Sequence, residues 1–288
     1  MTPNQQNYSK VKRFAVIGNP VAHSKSPQIH AAFAKQTGIQ LQYDLLPTPI
    51  EAFESVVERF FAEGGTGLNV TVPFKERAWA MAQGGLTERA RVAGAVNTLW
   101  WGDARLHGCN TDGVGLLADL HRLGVDVKGR DVLLVGAGGA ARGACAPILE
   151  AGCTRLHIVN RTEQRATELH QHIARELPHY AAQLSSGGLD QAQGLWPIVI
   201  NATSSSISQA APNLPGMQYM PGALAYDMFY AKHDTAFLQA AKAAGADRTA
   251  DGLGMLVGQA AAGFAIWHGV TPEIEPVLTM LRAQLSHS

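Results

Sequence analysis

Asp131–Gly143 reads DVLLVGAGGAARG. An apolar run, Val132–Val135, leads straight into Gly136, Gly138 and Ala141 at G-x-G-x-x-A spacing. The pattern predicts a strand, a tight turn and a helix N-terminus, where exposed backbone N–H groups and the helix dipole can hold a pyrophosphate. Glycines permit the turn and let the backbone approach the phosphates; Ala141 is small enough for close helix–strand packing. A helical apolar pattern follows over Ala140–Leu149, with Gly152 as its expected C-terminal cap, and then a second apolar run, Leu156–Val159. This is βαβ order at the expected length. In a chain with 30 glycines the spacing alone is weak, and the strand–helix–strand context carries it. The turn leaves roughly 130 residues upstream, about one more domain by length. If the centre holds a dinucleotide, the front should hold what the dinucleotide reacts with.

Composition narrows the classes. Lys+Arg and Asp+Glu both number 23, so the net charge is zero, which argues against bulk nucleic-acid or acidic-membrane binding. Three cysteines, Cys109, Cys145 and Cys153, lack C-x-x-C spacing and suit neither a disulfide framework nor a structural zinc site. The stretch MTPNQQNYSKVKRF has no apolar core of the signal-peptide kind. The Ala-rich run Leu253–Trp267 is broken by glycines and Gln259, so it reads as a buried helix and not a membrane span. A soluble, cytoplasmic protein is expected.

Upstream of the turn, strands and helices alternate. Phe14–Ile17 reads as a strand, and Ser26-Pro27 as an N-cap with proline at the first helical position of a helix ended by Gly38. Leu41–Leu46 reads as a strand. Thr48–Glu51 reads as a capping box opening a helix with Phe53, Val56, Val57, Phe60 and Phe61 on one face, closed by Gly64. Gly67–Val72 is a third strand, and Val96–Trp101 with Arg105–Cys109 suggests an antiparallel pair turning at Gly102-Asp103. Gly113–Leu123 reads as a connecting helix ended by Gly124. Further strands are expected at Ile198–Ile200 and Leu224–Asp227, while Tyr180–Gln193 is hard to assign. Leu256, Ala260, Phe264 and Trp267 fall at helical spacing, on a helix suited to pack back on the front domain. Alternation of this kind implies α/β architecture with a largely parallel sheet.

Residues after the second strand of the dinucleotide unit bear on which dinucleotide it takes. In NAD-binding proteins an acidic residue there usually bonds the ribose 2′-OH. Here the strand ends Val159-Asn160-Arg161-Thr162, with Arg165 one helical turn on. Two guanidinium groups and a hydroxyl suit a 2′-phosphate. Thr162 also suits a helix N-cap, and both readings can hold.

Four polar clusters mark the front segment. Gly18–Ser26, GNPVAHSKS, offers two hydroxyls and a lysine to a small anionic or polyhydroxylated ligand, though taken alone it is also an ordinary turn. In Asn69–Lys75, NVTVPFK, Asn69 and Thr71 face one side of the expected strand and Lys75 follows in the turn. Asn97 interrupts the apolar stretch AGAVNT and needs partners if buried. Asp112, in NTDGVG, opens the connecting helix as a natural N-cap. Lys75 with Asp112 also makes an acid/base pair of the kind a dehydrogenase needs, to remove a hydroxyl proton as hydride leaves or return one to an alkoxide.

Taken together, GNPVAHSKSPQIH, NVTVPFK, AGAVNT, NTDG, GAGGAARG, NRTEQR, YDMFY and DGLGMLVGQA resemble, in order and over almost the whole chain, the shikimate dehydrogenase family. The resemblance implies an N-terminal α/β substrate domain and a Rossmann-type NADP-binding domain, with the C-terminal helix returning to the first. The corresponding boundaries are 1–112 plus 256–288, and 113–255. It implies reversible NADPH-dependent reduction of 3-dehydroshikimate to shikimate, in aromatic amino-acid (chorismate) biosynthesis, by a monomer or homodimer. By the same resemblance Lys75 and Asp112 are the catalytic pair. Ser24 and Ser26 bind the substrate carboxylate, and Asn69, Thr71, Asn97, Tyr230 and Gln259 line the substrate site. Gly136, Ala137, Gly138, Gly139 and Ala140 hold the pyrophosphate, and Asn160, Arg161, Thr162 and Arg165 the 2′-phosphate. Ala202, Thr203, Ser204, Met228 and Gly252 lie along the rest of the cofactor, and Glu88 approaches it. One departure is Ala31, where the family commonly has Asn. His23 and His30, without further clustered ligands, make no metal site. The alternatives are a broader quinate/shikimate dehydrogenase, which the paired serines and the Asn-Arg-Thr segment disfavour, and a non-catalytic dinucleotide-binding regulator, which the intact Lys75 and Asp112 disfavour.

Overall fold

A computed structural model describes residues 11–203 and 210–287. The fold is α/β, built on two sheets. The first comprises β1 (Lys12–Gly18), β2 (Leu41–Pro47), β3 (Gly65–Val70), β4 (Thr98–Gly102) and β5 (Arg105–Cys109), in the order β2-β1-β3-β4-β5. β1 runs parallel to β2 and β3, whereas β3, β4 and β5 are antiparallel neighbours. Its helices are α1 (Ser26–Thr37), α2 (Phe53–Ala62), α3 (Lys75–Met81) and α4 (Glu88–Ala93), and α5 (Asp112–Arg122) leads out of it.

The second sheet comprises β6 (Asp131–Val135), β7 (Arg155–Val159), β8 (Leu184–Gly187), β9 (Gly194–Asn201), β10 (Met217–Asp227) and β11 (Arg248–Asp251). Its order, β8-β7-β6-β9-β10-β11, all parallel, is the doubly wound Rossmann order, with its reversal between β6 and β9. Side-chain alternation explains the layers. Val132 and Leu134 face one core with Ala141, Ile148, Leu169 and Ile173 of α6 (Gly139–Glu150) and α7 (Glu163–Glu176). Leu133 and Val135 face the other, with Phe237 and Leu238 of α8 (Ala236–Ala243).

α9 (Leu253–His268) and α10 (Glu275–His287) close the chain against the first sheet. Val257, Ala260 and Phe264 share a core with Ile29 and Phe33 of α1 and with Leu278 of α10. Trp267 packs against Phe14 of β1, ring centres 4.8 Å apart and tilted by 34°, and donates to the Leu99 carbonyl of β4 at 3.2 Å. The C-terminal helix therefore does return to the first sheet. No helix among the described residues is long and apolar enough to cross a membrane.

Several local expectations shift by a residue or two. Lys25, not Ser26, sits at the N-cap of α1; Ser26 occupies the first helical turn, and its N–H donates to Ser24 Oγ at 3.3 Å. The expected capping box at Thr48 does not form: Thr48 Oγ1 donates back to the Leu46 carbonyl, and a short 3-10 turn, Ile50–Ala52, precedes α2. β3 ends at Val70, because the chain turns at once, with Phe74 N donating to the Thr71 carbonyl. Lys75 consequently starts a helix and does not lie in a turn. Asp103 and Ala104, with φ of 48° and 57°, form the β4–β5 turn, one residue beyond the expected position. Both central residues are left-handed, as the twist of a two-residue hairpin favours.

Candidate active site

The front site forms where β1 and β3 end and α5 and α9 cross. α5 and α9 approach at backbone distance: a Cβ on Gly115 would lie 2.5 Å from the Met255 carbonyl oxygen and 2.6 Å from Gln259 N. That approach brings Gln259 over the start of α5. Thr111, not Asp112, occupies the N-cap position, so the Asp112 carboxylate is left to other partners. Lys75 Nζ donates to its Oδ2 at 2.6 Å and Asn97 Nδ2 to its Oδ1 at 2.9 Å. The side chains are 14% and 5% exposed for Lys75 and Asp112, so the pair is shielded from bulk water but reachable.

Asn97 is the hub. Its amide also reaches Thr111 Oγ1 at 2.9 Å and Gln259 Oε1 at 3.2 Å, and its Oδ1 accepts from Thr111 N and Thr98 Oγ1. A buried amide this heavily bonded fixes the start of β4, the N-terminus of α5 and α9 as one unit. Asn69 ties in behind it, donating to the Asn97 carbonyl and accepting from Tyr43 Oη at 2.5 Å. Tyr43 stacks on His30, 4.2 Å between ring centres. His30 is fully buried, and burial lowers its pKa to about 3, with Asn69 beside it opposing the shift in part. Thr111, Tyr43 and Asn110, whose Oδ1 accepts from Asp112 N, are site residues that the sequence reading missed. Thr111 and Asn110 lie inside the quoted NTDG motif; Tyr43 sits on a loosely patterned strand with nothing to single it out.

Ser24 and Ser26 meet at the N-terminus of α1, Oγ to Oγ 3.1 Å. Tyr230 lies in the loop after β10 and shares a cavity of about 580 Å³ with Ser24 and Lys25. Burial raises the Tyr230 pKa, so its hydroxyl is a neutral donor or acceptor. Thr71 lies just past β3, its methyl over Gly18.

The glycine turn sits at the β6/β9 reversal. Gly136 has φ of 118°, and a Cβ there would stand 3.0 Å from the Ala202 carbonyl carbon and 3.2 Å from Thr203 Cγ2. Ala137 is buried behind it. Gly138 caps α6 with no side-chain cap, a Cβ on it would meet nothing within 4 Å, and the first turn of α6 carries no acidic residue. The N–H groups of Gly139 and Ala140 thus head a helix open to an anion. Asn201 links this turn to the rest: it accepts from Thr203 Oγ1 at 2.7 Å, donates to Asp227 Oδ1 at 3.1 Å, and its carbonyl accepts from Met228 N. Gly252 packs on the Met228 carbonyl. Asn160, Arg161, Thr162 and Arg165 surround the start of α7; Thr162 is at the N-cap position without a side-chain cap bond. Glu88 opens α4 with its side chain 85% exposed, and its ionic neighbour is Arg91 at 3.9 Å. Ser204 lies outside the described residues.

The two sites touch. A Cβ on Gly139 would lie 2.9 Å from Lys75 Cβ and 3.0 Å from Lys75 Cδ, so the lysine stem rests on the N-terminal turn of α6.

Comparison with known proteins agrees with this geometry. Residues 16–99 match the shikimate dehydrogenase substrate binding domain, residues 119–208 the shikimate/quinate 5-dehydrogenase domain, and residues 252–281 the shikimate 5′-dehydrogenase C-terminal domain. A shikimate dehydrogenase (NADP(+)) of Bordetella petrii is 59% identical over 279 residues, covering 96% of this chain and 97% of that protein. The chain belongs to the shikimate dehydrogenase family. The namesake from Cupriavidus necator is 50% identical, covering 99% and 98%. Among solved structures, the shikimate 5-dehydrogenase of Thermus thermophilus in complex with NADP(H) and shikimate superposes with a TM-score of 0.81 at 33% identity, covering 96% of this chain and all of that one. A 5-ketofructose reductase of Gluconobacter also superposes, with a TM-score of 0.79 at 27% identity, covering 96% of this chain and 99% of that one.

Proposed function

We propose that this chain catalyses the reversible reduction of 3-dehydroshikimate to shikimate with NADPH, as an enzyme of aromatic amino-acid biosynthesis. The observation that carries the reading is the Lys75–Asp112 pair, 2.6 Å apart, with the lysine stem lying on Gly139 at the head of the dinucleotide helix. An acid/base group and a cofactor cradle in contact are what alcohol–ketone chemistry requires. Residues 1–112 with 256–288 form the substrate domain in this reading, and residues 113–255 the cofactor domain.

NADP, when bound, supplies or accepts the hydride at carbon. Gly136–Ala140 would hold its pyrophosphate on the uncapped helix N-terminus, and Asn160, Arg161, Thr162 and Arg165 its 2′-phosphate. Ala202, Thr203, Met228 and Gly252 would flank the remainder, with Glu88 at the margin. On the substrate side, Ser24 and Ser26 present hydroxyls at the N-terminus of α1, a position that favours a carboxylate. Asn69, Thr71, Asn97, Tyr230 and Gln259 would meet the ring hydroxyls. Lys75 Nζ gives a proton to the carbonyl oxygen as alkoxide character develops, and in the reverse direction the amine takes that proton back. Asp112 holds Nζ in place, and Asn97 holds Asp112.

The test is to follow reduced-nicotinamide absorbance with shikimate or quinate, each with NADP or NAD. Turnover should be fastest for shikimate with NADP. Comparable rates with quinate would favour the broader dehydrogenase, and no turnover in any pairing the regulator.

A further inference from the structure

Glu76 follows the catalytic lysine on α3 and faces the other sheet. Its Oε2 lies 3.6 Å from Arg142 Nε, and its Oε1 3.6 Å from Arg165 Nη2. Arg142 belongs to the first turns of α6, and Arg165 to the first turn of α7. One carboxylate, brought in from the substrate side, thus stands between the N-termini of the two helices that receive the phosphates in the proposed function. The contacts are charge contacts beyond hydrogen-bonding distance, and Arg142 Nε is buried without a hydrogen-bond partner. A guanidinium so placed is better satisfied by a phosphate oxygen, which accepts a short charge-assisted bond, than by a carboxylate 3.6 Å away. The local field is also asymmetric. The first turn of α6 has no acid of its own, so Glu76 is a negative charge added there from outside.

We infer that Glu76 is a specificity-determining residue that competes with the cofactor for Arg142 and Arg165. The carboxylate holds the two cations, and NADPH must displace it to reach them. Its opposition is greater for NADPH than for NADH, because the 2′-phosphate adds up to two negative charges near Arg165. Glu76 therefore narrows the margin by which the arginines favour NADPH. This inference rests on the reading of Arg165 as a 2′-phosphate contact.

The side chains of Glu76 and Arg165 are 45% and 55% exposed, so screening keeps the effect small. Wild type, Glu76→Gln, Arg165→Ala and the double variant would be titrated with NADPH and NADH, read by nicotinamide fluorescence. Glu76→Gln should tighten NADPH about two- to fivefold, a range set by the modest worth of exposed ion pairs. The gain for NADH should be less than half as large, and the NADPH gain should shrink in the Arg165→Ala background. An NADPH affinity that is unchanged or weaker, or equal gains for both cofactors, overturns the competition, and a weakening would make Glu76 a support for Arg165. Arg165→Ala alone separates the two layers. If it weakens NADPH selectively while Glu76→Gln gives no gain, the inference fails and the 2′-phosphate reading stands. If it weakens both cofactors equally, that reading fails and the inference with it.

Discussion

Each sheet reverses strand order beside its first strand, β1 against β3 in one and β6 against β9 in the other, and each site lies at that reversal. The materials differ. At the β6/β9 reversal the surface is backbone: a left-handed glycine, an open helix N-terminus, and a carbonyl at Ala202 close behind. At the β1/β3 reversal it is side chain: Lys75, Asp112, Asn97, Asn69 and Gln259 knit by hydrogen bonds. A site made of side chains can lose its chemistry and keep its shape. A site made of backbone loses its shape where an added side chain meets a left-handed φ and close neighbours, as at Gly136. Substitutions at the two reversals should therefore fail in different ways.

The largest effect is expected at Lys75. Lys75→Met keeps the apolar stem that lies on Gly139 and removes only the proton-carrying nitrogen. Loss of a general acid/base typically lowers kcat by about 10²- to 10⁴-fold. NADPH affinity should stay within about twofold, since the stem contact survives. Steady-state rates and a fluorescence titration check both halves; undiminished kcat would remove Lys75 from the chemistry.

Gly136→Ala should invert that signature. At φ 118° any Cβ is strained, and this one would press on the Ala202 carbonyl carbon at 3.0 Å. Backbone strain of this kind costs about 1–3 kcal/mol. The expected outcome is a lower urea midpoint and an NADPH affinity weakened about tenfold or more, with shikimate binding retained by calorimetry. Retained NADPH affinity would mean that the turn yields, contrary to a backbone-built site.

The same contrast decides what can be read from sequence. The glycine turn was legible because backbone geometry restricts residue type locally: three small residues at fixed spacing after an apolar run leave few other structures. Lys75 and Asp112 were paired from their residue types and the family resemblance and not from any local pattern, because 37 positions and two helices separate them. The reading of Asp112 as an N-cap was locally reasonable and was displaced by Thr111 one residue earlier. Tyr43 and the role of His30 were not legible at all: their stacking joins β2 to α1, and no local pattern encodes it. Likewise β11 and α8 escaped notice, since Arg248–Asp251 reads RTAD and gains its strand pairing only from β10.

His30 makes the substrate side sensitive to acid. Burial lowers its pKa to about 3, below the ordinary value of 6.5 that it regains on unfolding. Above pH 6.5 neither state binds the proton and the full stability is present. As pH falls below 6.5 the unfolded chain takes up a proton that the folded chain refuses, so stability falls by about 1.4 kcal/mol per pH unit until the folded value is reached. Between pH 6.5 and 5 this amounts to about 2 kcal/mol. His30→Phe keeps an aromatic ring against Tyr43 and cannot titrate. Its urea midpoint should fall less over that interval than that of the wild type, while His157 and His172, also lowered by burial, contribute equally to both. Parallel losses would show that His30 titrates normally in the folded chain.

Arg161 gives the smallest and most selective effect. It lies at the end of β7, exposed, where a carboxylate would mark a preference for NADH. Arg161→Ala removes one charge-assisted contact to the 2′-phosphate and none to the pyrophosphate, which rests on the α6 N-terminus. NADPH affinity should fall about tenfold, the worth of one bond to a charged group in partial solvent, and NADH affinity by less than about twofold. The loss should shrink at high salt, because an exposed contact is screened within a few ångströms at molar ionic strength. Glycine-turn damage moves both cofactors together, whereas Arg161→Ala should move only one. Equal losses for NADPH and NADH would place Arg161 with the backbone cradle and leave the 2′-phosphate to other groups. A selective loss would show that even the backbone-built site takes its choice of cofactor from side chains, set beyond the turn and just past the next strand.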